Sequence, residues 1–106
     1  MTSRRLSILV GRRIVDADMA PQDGGLMFDG DITLSVYNRY ELVDSGHADA
    51  QPLVGSIVLG VEEAADKVVI LLDNGCHVEI DLTDDAYSGP EAMQLRVPGE
   101  PIVIWT

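Results

Sequence analysis

The sequence predicts an all-β fold, and three observations carry that prediction. An Asn74-Gly75 pair separates two runs of strand character, 67–73 and 76–82. Leu9-Val10-Gly11 recurs 44 positions later as Leu53-Val54-Gly55. Met93, Leu95 and Val97 alternate with polar residues ahead of a Pro98-Gly99 turn and a closing Ile102-Val103-Ile104-Trp105 run. The expected architecture is two related three-stranded meanders plus a closing C-terminal hairpin, forming a small sandwich or open barrel of about eight strands. The 106 residues are expected to form a single domain, 1–106, with an internal repeat over 9–43 and 53–82 and a closing segment over 83–106.

The first strand of each unit is expected over 9–19 and 53–63, with Gly11, Gly55 and Gly60 marking bulges or close backbone approaches. The second and third strands form hairpins over 25–36 and 67–82. Asn-Gly between strand-like runs is the strongest short hairpin signal, because a type I′ turn needs positive φ at both central positions. Cys76, Val78, Ile80 and Leu82 then share one face and His77, Glu79 and Asp81 the other. Shifting the first half by 44 places Phe28 over Leu72, Asp29 over Asp73, and Ile32, Leu34 and Val36 over Cys76, Val78 and Ile80. Residues 53, 54, 57, 58 and 61 also match amphipathic-helix spacing. Two internal glycines, each costing about 1 kcal/mol relative to alanine in a helix, favour strand instead.

Tyr37-Asn38-Arg39-Tyr40-Glu41-Leu42-Val43 and the polar loop 44–52 connect the halves. Residues 84–91 read as a loop, with one helical turn starting at Pro90. In Pro98-Gly99 the proline takes the second and the glycine the third position of a type II turn. Trp105 is expected to pin the last strand onto the core.

Composition narrows the function. Apolar residues make up 46% and charged residues 24%, an ordinary globular balance. No apolar run approaches the roughly 20 residues of a membrane span, and the N-terminal apolar stretch is too short for a secretion signal, so a soluble cytoplasmic protein is expected. A net charge of −11 disfavours nucleic acid. Arg4, Arg5, Arg12 and Arg13 hold four of the seven basic residues, and all 18 acids follow residue 13. A basic terminal segment packing on an acidic face accounts for this. So does steering toward a basic partner, or pairing of arginine-rich and acid-rich surfaces between copies. Cys76, the sole cysteine, is expected to be buried as a small hydrophobe, with the adjacent His77 pointing to the opposite face.

Leu71-x-Asp-Asn-Gly, Val78-x-Ile-x-Leu82, Gly89-Pro90-Glu91-Ala92 and the terminal Ile-Val-Ile-Trp105 together resemble a group of small bacterial all-β domains. The shared features are an Asn/Asp-Gly hairpin, a Gly-Pro-Glu-Ala box and a closing Ile/Val-Val-Ile/Val-Trp strand. The resemblance covers mainly 67–105. It implies an architecture and assigns no activity.

The densest polar cluster outside the strands is Asp84, Asp85, Tyr87 and Glu91, the candidate ligand-binding residues. Their carboxylates suit calcium or magnesium, although the spacing lacks the order of a calcium loop. The competing structural role has Asp85 or Ser88 capping a turn and Glu91 satisfying its amides. His47 and His77, the only imidazoles, have no metal-demanding spacing, and no phosphate loop or nucleophile elbow is present. The leading expectation is a non-enzymatic binding or protein-interaction module without catalytic residues, metal or cofactor. It would self-associate as a homodimer through an exposed edge strand, or bind a basic protein partner. The alternative is a small enzyme or cation-binding protein using the acidic 84–91 loop, with His47 or His77 as general base.

Overall fold

Each half of the chain enters the fold by burying leucine before its first strand begins. In a computed structural model describing residues 6–18, 24–44, 53–87 and 89–105, Leu6–Leu9 forms a short 3₁₀ turn (η1) that buries Leu6 and Leu9. Leu53 is buried in the same way, in the turn that precedes the second half's first strand. Strands β1 (Ile14–Asp18) and β5 (Val58–Glu63) therefore start five residues later than the periodicity predicts. The chain turns at Gly11 and Gly55, whose φ angles of +83° and +97° suit residues without Cβ.

The other strands are β2 (Gly24–Phe28), β3 (Ile32–Val36), β4 (Tyr40–Asp44), β6 (Lys67–Leu72), β7 (Cys76–Asp81), β8 (Met93–Arg96) and β9 (Val103–Trp105). They make two antiparallel sheets, ordered β1-β2-β3-β8-β9 and β4-β7-β6-β5, and neither closes into a barrel. The fold is all-β, as expected, with nine strands among the described residues where about eight were predicted. β4 has no counterpart among the predicted strands and lies within the segment that the sequence predicts as a connection. The helical turn expected at Pro90 instead occupies Asp84–Ala86 (η2).

The inner faces form one core, built from Leu26, Phe28, Ile32, Leu34 and Val36 of one sheet and Val68, Ile70, Leu72, Val78 and Ile80 of the other. Met93, Leu95 and Trp105 join it from the closing hairpin. Cys76 is buried on the inward face, as predicted. The radius of gyration, 12.9 Å, is that of a compact domain of about this length.

The hairpin turns differ from expectation in one respect. In Asp73-Asn74-Gly75 only Gly75 has positive φ, +88°, and Gly75 N–H bonds back to the Leu72 carbonyl at 3.4 Å. This is a three-residue loop with a left-handed glycine at its end, not a type I′ pair. Asn74 contributes through its side chain instead, its Oδ1 accepting from the Cys76 amide at 2.9 Å. Positive φ at two successive positions occurs in the other hairpin, at Gly30 and Asp31. Pro98-Gly99 forms the predicted turn, with Gly99 at φ +79° and Glu100 N–H donating to Val97 O at 3.0 Å.

Where the two halves meet, the hydrogen bonds come in pairs 44 positions apart. Gly11 N–H donates to Val58 O at 2.8 Å, and Gly55 N–H to Ile14 O at 2.7 Å. Ile14 N–H donates to Ser56 O and Val58 N–H to Arg12 O. Arg13 bridges antiparallel to Ile57. Asp29 Oδ1 accepts from Arg13 N–H, as Asp73 Oδ1 does from Ile57 N–H. Register shifts also correspond, at Ile14/Asp16 against β2 and at Val58/Gly60 against β6. Each half then passes its next strand to the other half's sheet: β4 pairs with β7, and β8 with β3. Tyr40 lies opposite Ile80 as Met93 lies opposite Val36. Four positions separate Val36 from Tyr40 and thirteen separate Ile80 from Met93, so the second crossover is nine residues longer. Those extra residues contain the acidic 84–91 segment.

Candidate functional site

The alternation of β7 sends His77, Glu79 and Asp81 to the outer face of the β4-β7-β6 sheet. Cross-strand register brings Glu41 opposite Glu79, Val43 opposite His77, and Lys67 opposite Asp81. At the end of this face lies an open groove of about 350 Å³, lined by Arg39, Tyr40 and Glu41 on one side and Asp66 and Lys67 on the other. Glu79, Asp81 and Thr83 also line it.

Both bases of the groove are paired. Arg39 Nη2 contacts Asp81 Oδ2 at 2.7 Å, and Lys67 Nζ lies 4.0 Å from Glu79 Oε1. The other oxygen of Glu79 contacts His77 Nε2 at 2.8 Å. The remaining oxygen of Asp81 accepts from both the amide and the hydroxyl of Thr83, at 2.9 and 2.6 Å. η2 itself has no side-chain cap, and Asp81 instead closes a local turn onto Thr83, the residue that precedes η2. Beneath it the wholly buried Asn38 donates from Nδ2 to the Asp81 carbonyl at 2.8 Å, tying the β3–β4 crossover to the end of β7.

The Thr83 hydroxyl, then its amide, then Arg39 hold the Asp81 carboxyl down at about 2, against an ordinary 3.8. A lowered folded-state value means that Asp81 contributes stability above pH 3.8, which is lost as the pH falls from about 4 toward 2. The stability difference between the wild type and Asp81→Asn should therefore shrink over that interval in urea melts. A difference unchanged from pH 5 to pH 2 would contradict the pairing. Tyr40 shifts the other way: burial, then the nearby Asp18 charge, raises its hydroxyl above 10.0.

The candidate ligand residues lie apart from this groove. Asp84 and Asp85 are exposed on η2. Tyr87 is half-buried and packs against the core. Half-buried Glu91 accepts from Gln94 Nε2 at 2.8 Å. None of the four lines the groove, nor does His77. Among the described residues, no group of three or more His, Cys, Asp and Glu is placed to hold a metal ion. His47, Ser88, Arg4 and Arg5 lie outside the described residues, while Arg12 pairs loosely with Asp29 at 3.9 Å.

Sequence reasoning missed Arg39, Lys67, Glu79 and Asp81 as a group. The available signal was the hairpin register, since strands closed by Asp73-Asn74-Gly75 set Lys67 opposite Asp81. Arg39, 42 residues away from Asp81, had no such local indicator.

No helix of the described residues is long and apolar enough to cross a membrane. No family model matches the chain, and neither a curated protein nor a solved structure matches it.

Proposed function

We propose that the chain is a non-enzymatic protein-interaction module that self-associates, built from two copies of one supersecondary unit packed about a pseudo-twofold axis. The observation that carries this reading is the open state of the sheets. Among the described residues, β4 and β9 each pair with a strand on one side only. Such edges present main-chain donors and acceptors that template a further strand. The resemblance of 67–105 to small bacterial domains fits a module of this kind, and a cytoplasmic setting suits its single buried thiol.

A second reading, capture of a basic protein partner, is favoured by the groove. Its Glu41, Asp66, Glu79 and Asp81 outnumber Arg39 and Lys67, both already ion-paired.

Sedimentation velocity over a wide concentration range, at low and high salt, tests both readings. Two copies each carrying −11 repel one another, so self-association should strengthen as salt screens that repulsion. Binding of an arginine-rich peptide to the groove should weaken instead. A strict monomer at every concentration and salt would overturn the self-association reading.

A further inference from the structure

The two halves differ at one edge, and that difference points to what self-association would use. β8 and β4 hold equivalent places in the two sheets, since Leu95 lies opposite Leu34 as Leu42 lies opposite Val78, 44 positions on. The outer edge of β8 is covered by β9, through Met93 opposite Trp105 and Leu95 opposite Val103. Among the described residues, no strand covers the same edge of β4.

The phase of β4 follows from one hydrogen bond. Asp81 N–H donates to Arg39 O at 3.0 Å, which turns the Arg39 carbonyl toward β7, while Arg39 N–H donates to Ala86 O at 3.1 Å. Alternation then directs the main-chain groups of Glu41 and Val43 toward β7, and those of Leu42 and Asp44 toward the outer edge.

We infer that this edge receives the β4 of a second copy, antiparallel and centred on Leu42, an assignment that rests on the self-association reading above. In this register Leu42 exchanges both main-chain hydrogen bonds with the partner's Leu42, and Asp44 pairs with the partner's Tyr40. The sheets join into one of eight strands, and the pair is isologous, so it closes at the dimer. Charge disfavours one neighbouring register. On the outer face Glu41 meets the partner's Val43, whereas a slip by two residues in one direction would set Glu41 against the partner's Glu41. Like charges directly opposite one another destabilise a ladder. Both Glu41 and Val43 are solvent-accessible, which leaves room for a facing strand.

Substitution at one exposed position tests the register in both directions. Val43→Lys places an ammonium opposite the partner's Glu41 twice per dimer and should tighten the dimer by roughly two- to tenfold. Val43→Glu places a carboxylate there and should weaken it by a similar factor. Leu42→Pro removes an outward N–H without touching the ladder to β7 and should abolish the dimer. Leu42→Ala, which trims the same side chain but keeps the N–H, should retain it. Sedimentation velocity reads all four, and circular dichroism confirms the β fold of each. If Leu42→Pro fails to fold, the Val43 pair decides alone. A dimer indifferent to the sign of residue 43 overturns the β4 assignment while leaving self-association standing. A wild-type chain that never dimerises overturns the reading beneath it.

Discussion

Phe28→Ala is expected to destabilise the fold by about 3–5 kcal/mol, the cost of removing a buried phenylalanine and leaving a cavity. Phe28 is the largest of the fully buried side chains, 1% exposed, at the end of β2. It lies opposite Ile14 of β1 and Ile32 of β3, both also buried. The register shift between Ile14 and Asp16 falls beside it, in the segment where the two halves exchange hydrogen bonds. Collapse to fill the space would have to distort that seam. For a domain of this size the loss corresponds to a fall in melting temperature of roughly 15–30 °C, readable by calorimetry. A fall of only a few degrees would mean that the two sheets do not close over this ring.

Gly24→Ala is expected to cost about 1–3 kcal/mol for a single added methyl group, as overpacking does. Gly24 opens β2 opposite Val36, and the ring of Tyr40 lies against it. A Cβ there would come within 2.6 Å of Tyr40 Cζ and 2.8 Å of Cε1. Space, not backbone conformation, requires the glycine, because its φ is not among the positive values. The cost should therefore depend on the ring. In a Tyr40→Ala background the same Gly24→Ala change should cost far less, and the coupling should reach about 0.5–3 kcal/mol. Additive effects in the double-mutant cycle would show that β2 and β4 do not meet as described. The contact joins the two sheets at the start of the exchanged strand.

Features held by local chemistry were legible in the sequence. Both central hairpins, the Pro98-Gly99 turn, the inward face of Cys76 and the glycine-associated bulge near Gly60 each depend on a few neighbouring residues. The sequence predicts first strands that are too long, because Leu9-Val10 and Leu53-Val54 are apolar in any conformation. Only the tertiary bonds from Gly11 and Gly55 show that the chain turns there. β4 escaped notice for a related reason. Its partner β7 lies more than thirty positions away with no turn to set the register, so Glu41, Leu42 and Val43 read as a connection.

The site followed the same division. The acidic 84–91 segment stood out by density, yet η2 sends Asp84 and Asp85 into solvent and turns Tyr87 against the core. The groove instead draws on residues from β4, β6 and β7 that only pairing brings together. Asp81 was visible as one polar residue in an alternating strand. Its bonds to Arg39, Thr83 and Asn38 depend on the crossover that passes β4 to the other sheet.

Amide hydrogen exchange followed by NMR at low and high protein concentration tests the proposed self-association most directly. The amides of Glu41 and Val43, bonded to β7, should exchange slowly at both concentrations. Those of Leu42 and Asp44 should exchange rapidly in dilute solution and become protected as the protein is concentrated. Unchanged exchange at Leu42 and Asp44, in samples whose sedimentation shows a doubled mass, would contradict pairing at β4.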